Sequence, residues 1–106
     1  MLFMVEMDVN IPLDFDADEA AKIKAAEKAY FQKLQQAGTW RHIWRKVGLY
    51  SNVSIFDVES NTALHDTLMA LPLYPFMTMK VTPLCRHPSS IHEDDRCSSK
   101  IPFRRA

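Results

Sequence analysis

Glycine is nearly missing from this chain, with Gly38 and Gly48 its only two in 106 residues. A phosphate-cradling loop needs several glycines to let backbone N–H groups approach the anion, so Rossmann-type and P-loop nucleotide binding are excluded. Cysteine is equally scarce: Cys85 and Cys97 are too few for a disulfide scaffold and have no CxxC spacing. One bridge between them is the only pairing open to the chain, and nothing requires it. An excess of either charge is missing too, because 13 Lys and Arg balance 13 Asp and Glu. Such a chain exerts no overall pull on nucleic acid or an anionic membrane. No apolar run approaches the roughly 20 residues of a membrane-spanning helix. The opening MLFMVEMDVN reads as a strand rather than a signal peptide. A reduced, cytoplasmic protein is expected. The histidines at 42, 65, 87 and 92 form neither HExxH nor HxH spacing, and there is no GxSxG elbow. Cys85, His87 and His92 carry donor atoms but sit in an aperiodic stretch, so no metal centre is expected.

What is there reads as one small domain, 47% hydrophobic and 25% charged. Residues 2–10 alternate, with Phe3, Val5, Met7 and Val9 on one face and Met4, Glu6, Asp8 and Asn10 on the other, as in a half-buried strand. Asp16 followed by Glu19 makes a helix N-cap, and Gly38 follows the periodic run as a C′ residue. Between them Ala20, Ile23, Glu27, Tyr30 and Leu34 fall on one helical face, while Lys22, Lys24, Lys28 and Lys33 point elsewhere.

Glu27 is the anomaly of that stripe. A carboxylate placed where a helix should bury leucine loses hydration, and its pKa rises towards neutrality. That is how a protein makes a general base that works near pH 7. The competing reading is a structural carboxylate paired with Lys24, Lys28 or an arginine of another subunit, since such pairs also perturb pKa values. The pattern alone leaves both open.

The segment TWRHIWRKVGLYSNVSIFDV predicts two strands, about 39–47 and 49–58, joined by a tight turn at Gly48. Within the first, Trp40 and Trp44 are expected to share one face, and Arg41 and Arg45 the other. Residues 60–71 carry Leu64, Leu68 and Leu71 at helical spacing before Pro72. Residues 76–81 alternate again as a fourth strand, with Met77, Met79 and Val81 together. The order β-α-β-β-α-β is the split βαβ, or ferredoxin-like, arrangement: an α+β fold with an antiparallel four-stranded sheet and two helices on one face. The other face would lie bare in a monomer, and two tryptophans on it predict that subunits associate. Besides Glu27, the residues able to do chemistry are Tyr50 and Asn52 (in line with Ser54 on the third strand), His65 on the second helix, and the cations Arg41 and Arg45. Each alone is more often an ordinary surface or edge residue; together they supply a base, neutral donors and cationic anchors.

The start MLFMVEMDVN, the Asp-rich turn, the KAAEK segment around Glu27, and the blocks GTWRHIWRKVGLYSNVSIFDV, LHDTLMALPLYPFM and LCRHPSSIHEDDR resemble the muconolactone delta-isomerase family in order and spacing. The resemblance covers residues 1–96 as one domain; CSSKIPFRRA, residues 97–106, stands outside it as a C-terminal extension. It implies a ferredoxin-like subunit, a homo-oligomer (a decamer built from dimers), catalysis without a cofactor, and a place in catechol breakdown by the β-ketoadipate route. The implied reaction moves the ring double bond of muconolactone, giving 3-oxoadipate enol-lactone. On that reading Glu27 carries the proton, and Tyr50, Asn52 and His65 donate to the lactone or dienolate oxygens. Lys24, Arg41 or a neighbouring chain's Arg86 would hold the substrate's acetate arm. A chloromuconolactone dehalogenase of the same family and a non-catalytic small-molecule-binding oligomer of this fold are the alternatives. A cofactor-independent monooxygenase is more remote.

Overall fold

The computed structural model describes residues 1–95. The sequence boundary after Arg96 and any pairing of Cys85 with Cys97 fall outside them. The elements run β1 (Leu2–Val9), α1 (Ala17–Ala37), β2 (Trp40–Arg45), β3 (Ser51–Asp57), α2 (Asn61–Met69) and β4 (Met77–Leu84). A 3₁₀ turn at Tyr74–Phe76 leads into β4, and a second spans Glu93–Asp95. The sheet order is β2-β3-β1-β4 with every neighbour antiparallel, as the ferredoxin-like reading requires.

The helix ends follow the expected chemistry. The Asp16 carboxylate accepts from the Glu19 N–H at 3.0 Å, and Gly38 closes α1 at φ 82°. Ser60 caps α2 by accepting from the Ala63 N–H at 3.1 Å. The α1 stripe also holds: Ala20, Ile23, Tyr30, Phe31 and Leu34 are half-buried, and Glu27 is the one fully buried residue of that helix.

The β-strand registers assign the two sheet faces. Phe3, Val5 and Met7 stand opposite Phe56, Ser54 and Asn52 of β3, and β4 adds Met79 and Met77 at the Met7 end. This face packs under the helices through Leu34, Leu64, Leu68 and Leu71. The opposite face carries Met4, Glu6, Val53, Ile55 and Trp44, with Lys46 bound to Glu6 at 3.2 Å.

Strand β2 departs from simple alternation, and two expectations about it fail. A bulge between Trp40 and His42 shifts the register, so Trp40 pairs with Phe56 while Trp44 pairs with Val53. Trp40 is fully buried between Phe31 and Phe56, whereas Trp44 is 55% exposed on the other face and stacked on His42. The two tryptophans therefore do not share a face. Arg41 and Arg45 do not either. Arg45 lies opposite Asn52 on the helix side, while Arg41 reaches Asp57, whose partner Leu2 alternates with the helix-facing Phe3. The turn between β2 and β3 is also longer than expected, taking in residues 46–50. The Leu49 N–H closes it on the Lys46 carbonyl at 3.1 Å, with Gly48 at φ 79°.

A cleft around one desolvated carboxylate

The helix-facing layer is closed at the Phe3–Phe56–Trp40 end and opens at the other into a cleft of about 530 Å³. One wall is α1, contributing Lys24, Glu27, Lys28 and Phe31. The facing wall is the hairpin, contributing Ile43, Arg45, Tyr50, Ser51 and Asn52, while Val9, Leu73 and Met77 form the end by β4.

Glu27 is 2% exposed. Its Oε1 accepts from the Leu73 backbone N–H at 3.2 Å, and its Oε2 has no partner among the described residues. Burial pushes the carboxyl pKa above its ordinary 4.5, and the Leu73 N–H offsets part of that rise. Neither Lys24 nor Lys28 forms an ion pair with it, so the simple structural pairing within the helix is not made. The nearby Tyr30 phenol is pushed up as well, by burial first and by the Glu27 charge second; it donates to the Thr67 carbonyl at 3.2 Å.

Asn52 faces Glu27 from β3. The fully buried Ser54 hydroxyl donates to Asn52 Oδ1 at 2.7 Å, which fixes the amide and turns its N–H groups away from Ser54. Among the described residues those groups find only a long contact, 3.7 Å, to the Met7 sulfur. Tyr50 stands at the cleft mouth with two cations against its ring, Lys24 Nζ at 5.8 Å and the Arg45 guanidinium carbon at 5.3 Å from the centroid.

Thus Glu27, Tyr50, Asn52 and Lys24 come together, and His65, Arg41 and Arg86 do not join them within one subunit. His65 is exposed on α2. Arg41 is tied to Asp57, Asp94 and Asp95 at 3.9, 3.5 and 3.3 Å. Arg86 donates to the Ser90 and His92 carbonyls at 2.5 and 3.0 Å and pairs with Glu93. One contributor had no sequence signal pointing to it: Leu73 acts through its backbone N–H, which every non-proline residue has. Arg45 was a candidate cation in the sequence, but its place on the cleft wall became visible only once the bulge set the register. The pairing of Arg45 with the polar end of β3, counted back from the hairpin turn, was the available hint. Among the described residues no group of three or more His, Cys, Asp or Glu side chains could hold a metal ion, and no helix is long and apolar enough to cross a membrane.

Fold and cleft define a ferredoxin-like α+β protein with one desolvated carboxylate, Glu27, on the wall of an open cleft. The sequence profile of the family described as muconolactone delta-isomerase matches residues 1–90. The chain is 62% identical to Muconolactone Delta-isomerase 2 of Acinetobacter lwoffii, over 91% of this chain and all of that protein. It is 57% identical to Muconolactone Delta-isomerase of Pseudomonas putida over the same shares. A crystal structure of muconolactone isomerase superposes with a TM-score of 0.86 at 59% identity, covering 91% of this chain and 100% of that one. The chain belongs to the muconolactone delta-isomerase family.

Proposed function

We propose that this chain isomerises muconolactone to 3-oxoadipate enol-lactone in catechol breakdown, with Glu27 carrying the proton in both halves of the reaction. The observation that supports these roles best is the Glu27 carboxylate itself. It is buried, held at one oxygen by Leu73, and unpartnered at the other towards a cleft large enough for a small lactone. The substrate is an unsaturated five-membered lactone with an acetate arm. Glu27 Oε2 takes the ring proton γ to the lactone carbonyl, and the electron pair spreads through the ring double bond onto the carbonyl oxygen as a dienolate. The same carboxyl returns the proton to the α carbon, and the double bond moves from the α,β to the β,γ position. The number of electrons is unchanged, so the reaction asks for no redox group and no external co-reactant.

One base serves both steps when its pKa lies between that of an ordinary carboxylate and the working pH. Desolvation raises the Glu27 pKa in that direction, and the Leu73 N–H offsets part of the rise. The Asn52 amide, oriented by Ser54, and the Tyr50 hydroxyl are the donors proposed for the dienolate oxygen, a role worth about 3–4 kcal/mol per donor in comparable oxyanion sites. Lys24 is on the cleft wall and stands as a cation for the acetate arm. Arg41, Arg86 and His65 would take part only from another subunit. A homo-oligomer, a decamer built from dimers on the family's pattern, accords with the exposed Trp44 and the sheet face that neither helix covers. A cytoplasmic setting belongs to the same proposal.

A proton NMR time course in deuterated buffer tests the activity. Loss of muconolactone signals with growth of the enol-lactone supports the isomerase, and the deuterium content of the α carbon reports how far the carried proton exchanges with solvent. Chloride release from 5-chloromuconolactone with little turnover of muconolactone would move the chain to the dehalogenase reading. Inertness to both would leave a binding protein.

A further inference from the structure

Arg41 and Arg86 are already matched by carboxylates and carbonyls, whereas Arg45 makes no ion pair among the described residues. It nevertheless stands on the cleft wall, opposite Asn52 in the register and beside Tyr50. Its Nη1 donates to the Leu49 carbonyl at 3.4 Å, and its guanidinium lies over the Tyr50 ring. A guanidinium has five N–H groups, so these two contacts hold the group in place and leave an edge of the fork unused. Lys24 and Lys28 across the cleft are likewise without a carboxylate partner among the described residues. The cleft mouth is therefore a cluster of uncompensated positive charge around a carboxyl that burial drives towards its neutral form. That arrangement is complementary to an anion.

We propose that Arg45 is the residue that grips the substrate's carboxylate, through the free edge of its guanidinium. This deepens, and rests on, the isomerase reading above. A planar fork matches a carboxylate in two parallel hydrogen bonds and so fixes direction as well as distance. Arg45 and Glu27 stand on opposite walls, hairpin and α1. Holding the acetate arm at Arg45 keeps its charge away from Glu27 and lays the ring between the two. Lys24, also within 5.8 Å of the Tyr50 ring centroid, adds a diffuse charge without directional preference. Tyr50 then acts as the platform that positions both cations.

The test compares muconolactone with its methyl ester, which keeps the ring and loses the charge, in the parent protein and in Arg45→Met, Arg45→Lys and Lys24→Met. The methionine retains the apolar stem that packs on Tyr50. The parent should favour the acid over the ester by about 10–100-fold in kcat/KM, the range of hydrogen bonds to a charged group. Arg45→Met should raise KM for the acid by about tenfold or more, change kcat much less, and bring acid and ester close together. Arg45→Lys should recover part of the preference, because it restores the charge without the fork, and Lys24→Met should weaken it less than Arg45→Met. An Arg45→Met protein that folds and still separates acid from ester as the parent does would overturn the assignment, as would a larger loss of preference in Lys24→Met. A parent protein that turns over neither compound would instead sink the isomerase reading.

Discussion

The helix-facing layer of this molecule has two ends built on one plan with opposite contents. At one end Phe3, Phe56 and Trp40 lie across three adjacent strands, all essentially inaccessible to water, with Phe31 closing over Trp40 at a 4.4 Å ring separation. At the other end the same strands present Met7, Asn52 and Arg45, and the helix above offers Glu27. Where three apolar rings interlock, the layer is sealed. Where amide, guanidinium and carboxyl replace them, it parts into a cleft. Ser54 marks the border, since it is buried like the core residues but spends its hydroxyl on orienting Asn52. The contrast shows how a small fold keeps its stability and its chemistry apart. The closed end supplies the packing that lets the open end leave one carboxyl oxygen unsatisfied.

Substitutions at the two ends should accordingly separate activity from stability. The largest effect is expected at Glu27. Glu27→Gln should lower turnover by about 10²–10⁴-fold, the usual worth of a general base, while circular dichroism and melting stay close to the parent's. Near-normal turnover would end its assignment as the base. At the closed end, Phe56→Ala should cost about 3–5 kcal/mol in denaturant unfolding, because a fully buried ring leaves a cavity. Its folded fraction should retain the parent's kcat; a specific loss of kcat would show that the two ends are not independent.

Asn52→Ala should fall between these, with kcat down by about 10²-fold and stability little changed, the reverse of Phe56→Ala. The smallest effect is a slope. Burial raises the Glu27 pKa above its ordinary 4.5, so the folded chain keeps this proton over a range where the unfolded chain has released it. The stability contribution of Glu27 is therefore full below that ordinary value and is lost as pH rises through the elevated one. Urea midpoints of the parent should drop relative to those of Glu27→Gln over that window, while kcat/KM of the parent rises through the same elevated pKa. Parallel stability curves for the two proteins would mean that the carboxyl is not desolvated in solution.

Much of this was legible in the sequence because it depends on local periodicity. The helical spacing of Ala20, Ile23, Glu27, Tyr30 and Leu34 placed Glu27 on the buried stripe, and alternation placed Asn52 with Ser54. The capping residues Asp16 and Gly38 bounded the first helix for local hydrogen-bonding reasons. Strand β2 was misread because alternation propagates from a starting residue, and one bulge inverts every assignment beyond it. Trp40 and Trp44 look equivalent as letters. A single extra residue against Phe56 sends one into the core and leaves the other in water.

The sequence by itself determined the kind of elements, their order and the presence of one misplaced carboxylate, because these follow from side-chain spacing along a chain of fixed geometry. Tertiary structure decided what surrounds that carboxylate. The Leu73 N–H comes to Glu27 from 46 residues away, and Arg45 reaches the cleft through cross-strand register. Arg41 is drawn off to Asp57, Asp94 and Asp95. Distances between residues remote in the chain depend on how whole layers dock, and docking is a property of all the side chains packed together rather than of any one segment.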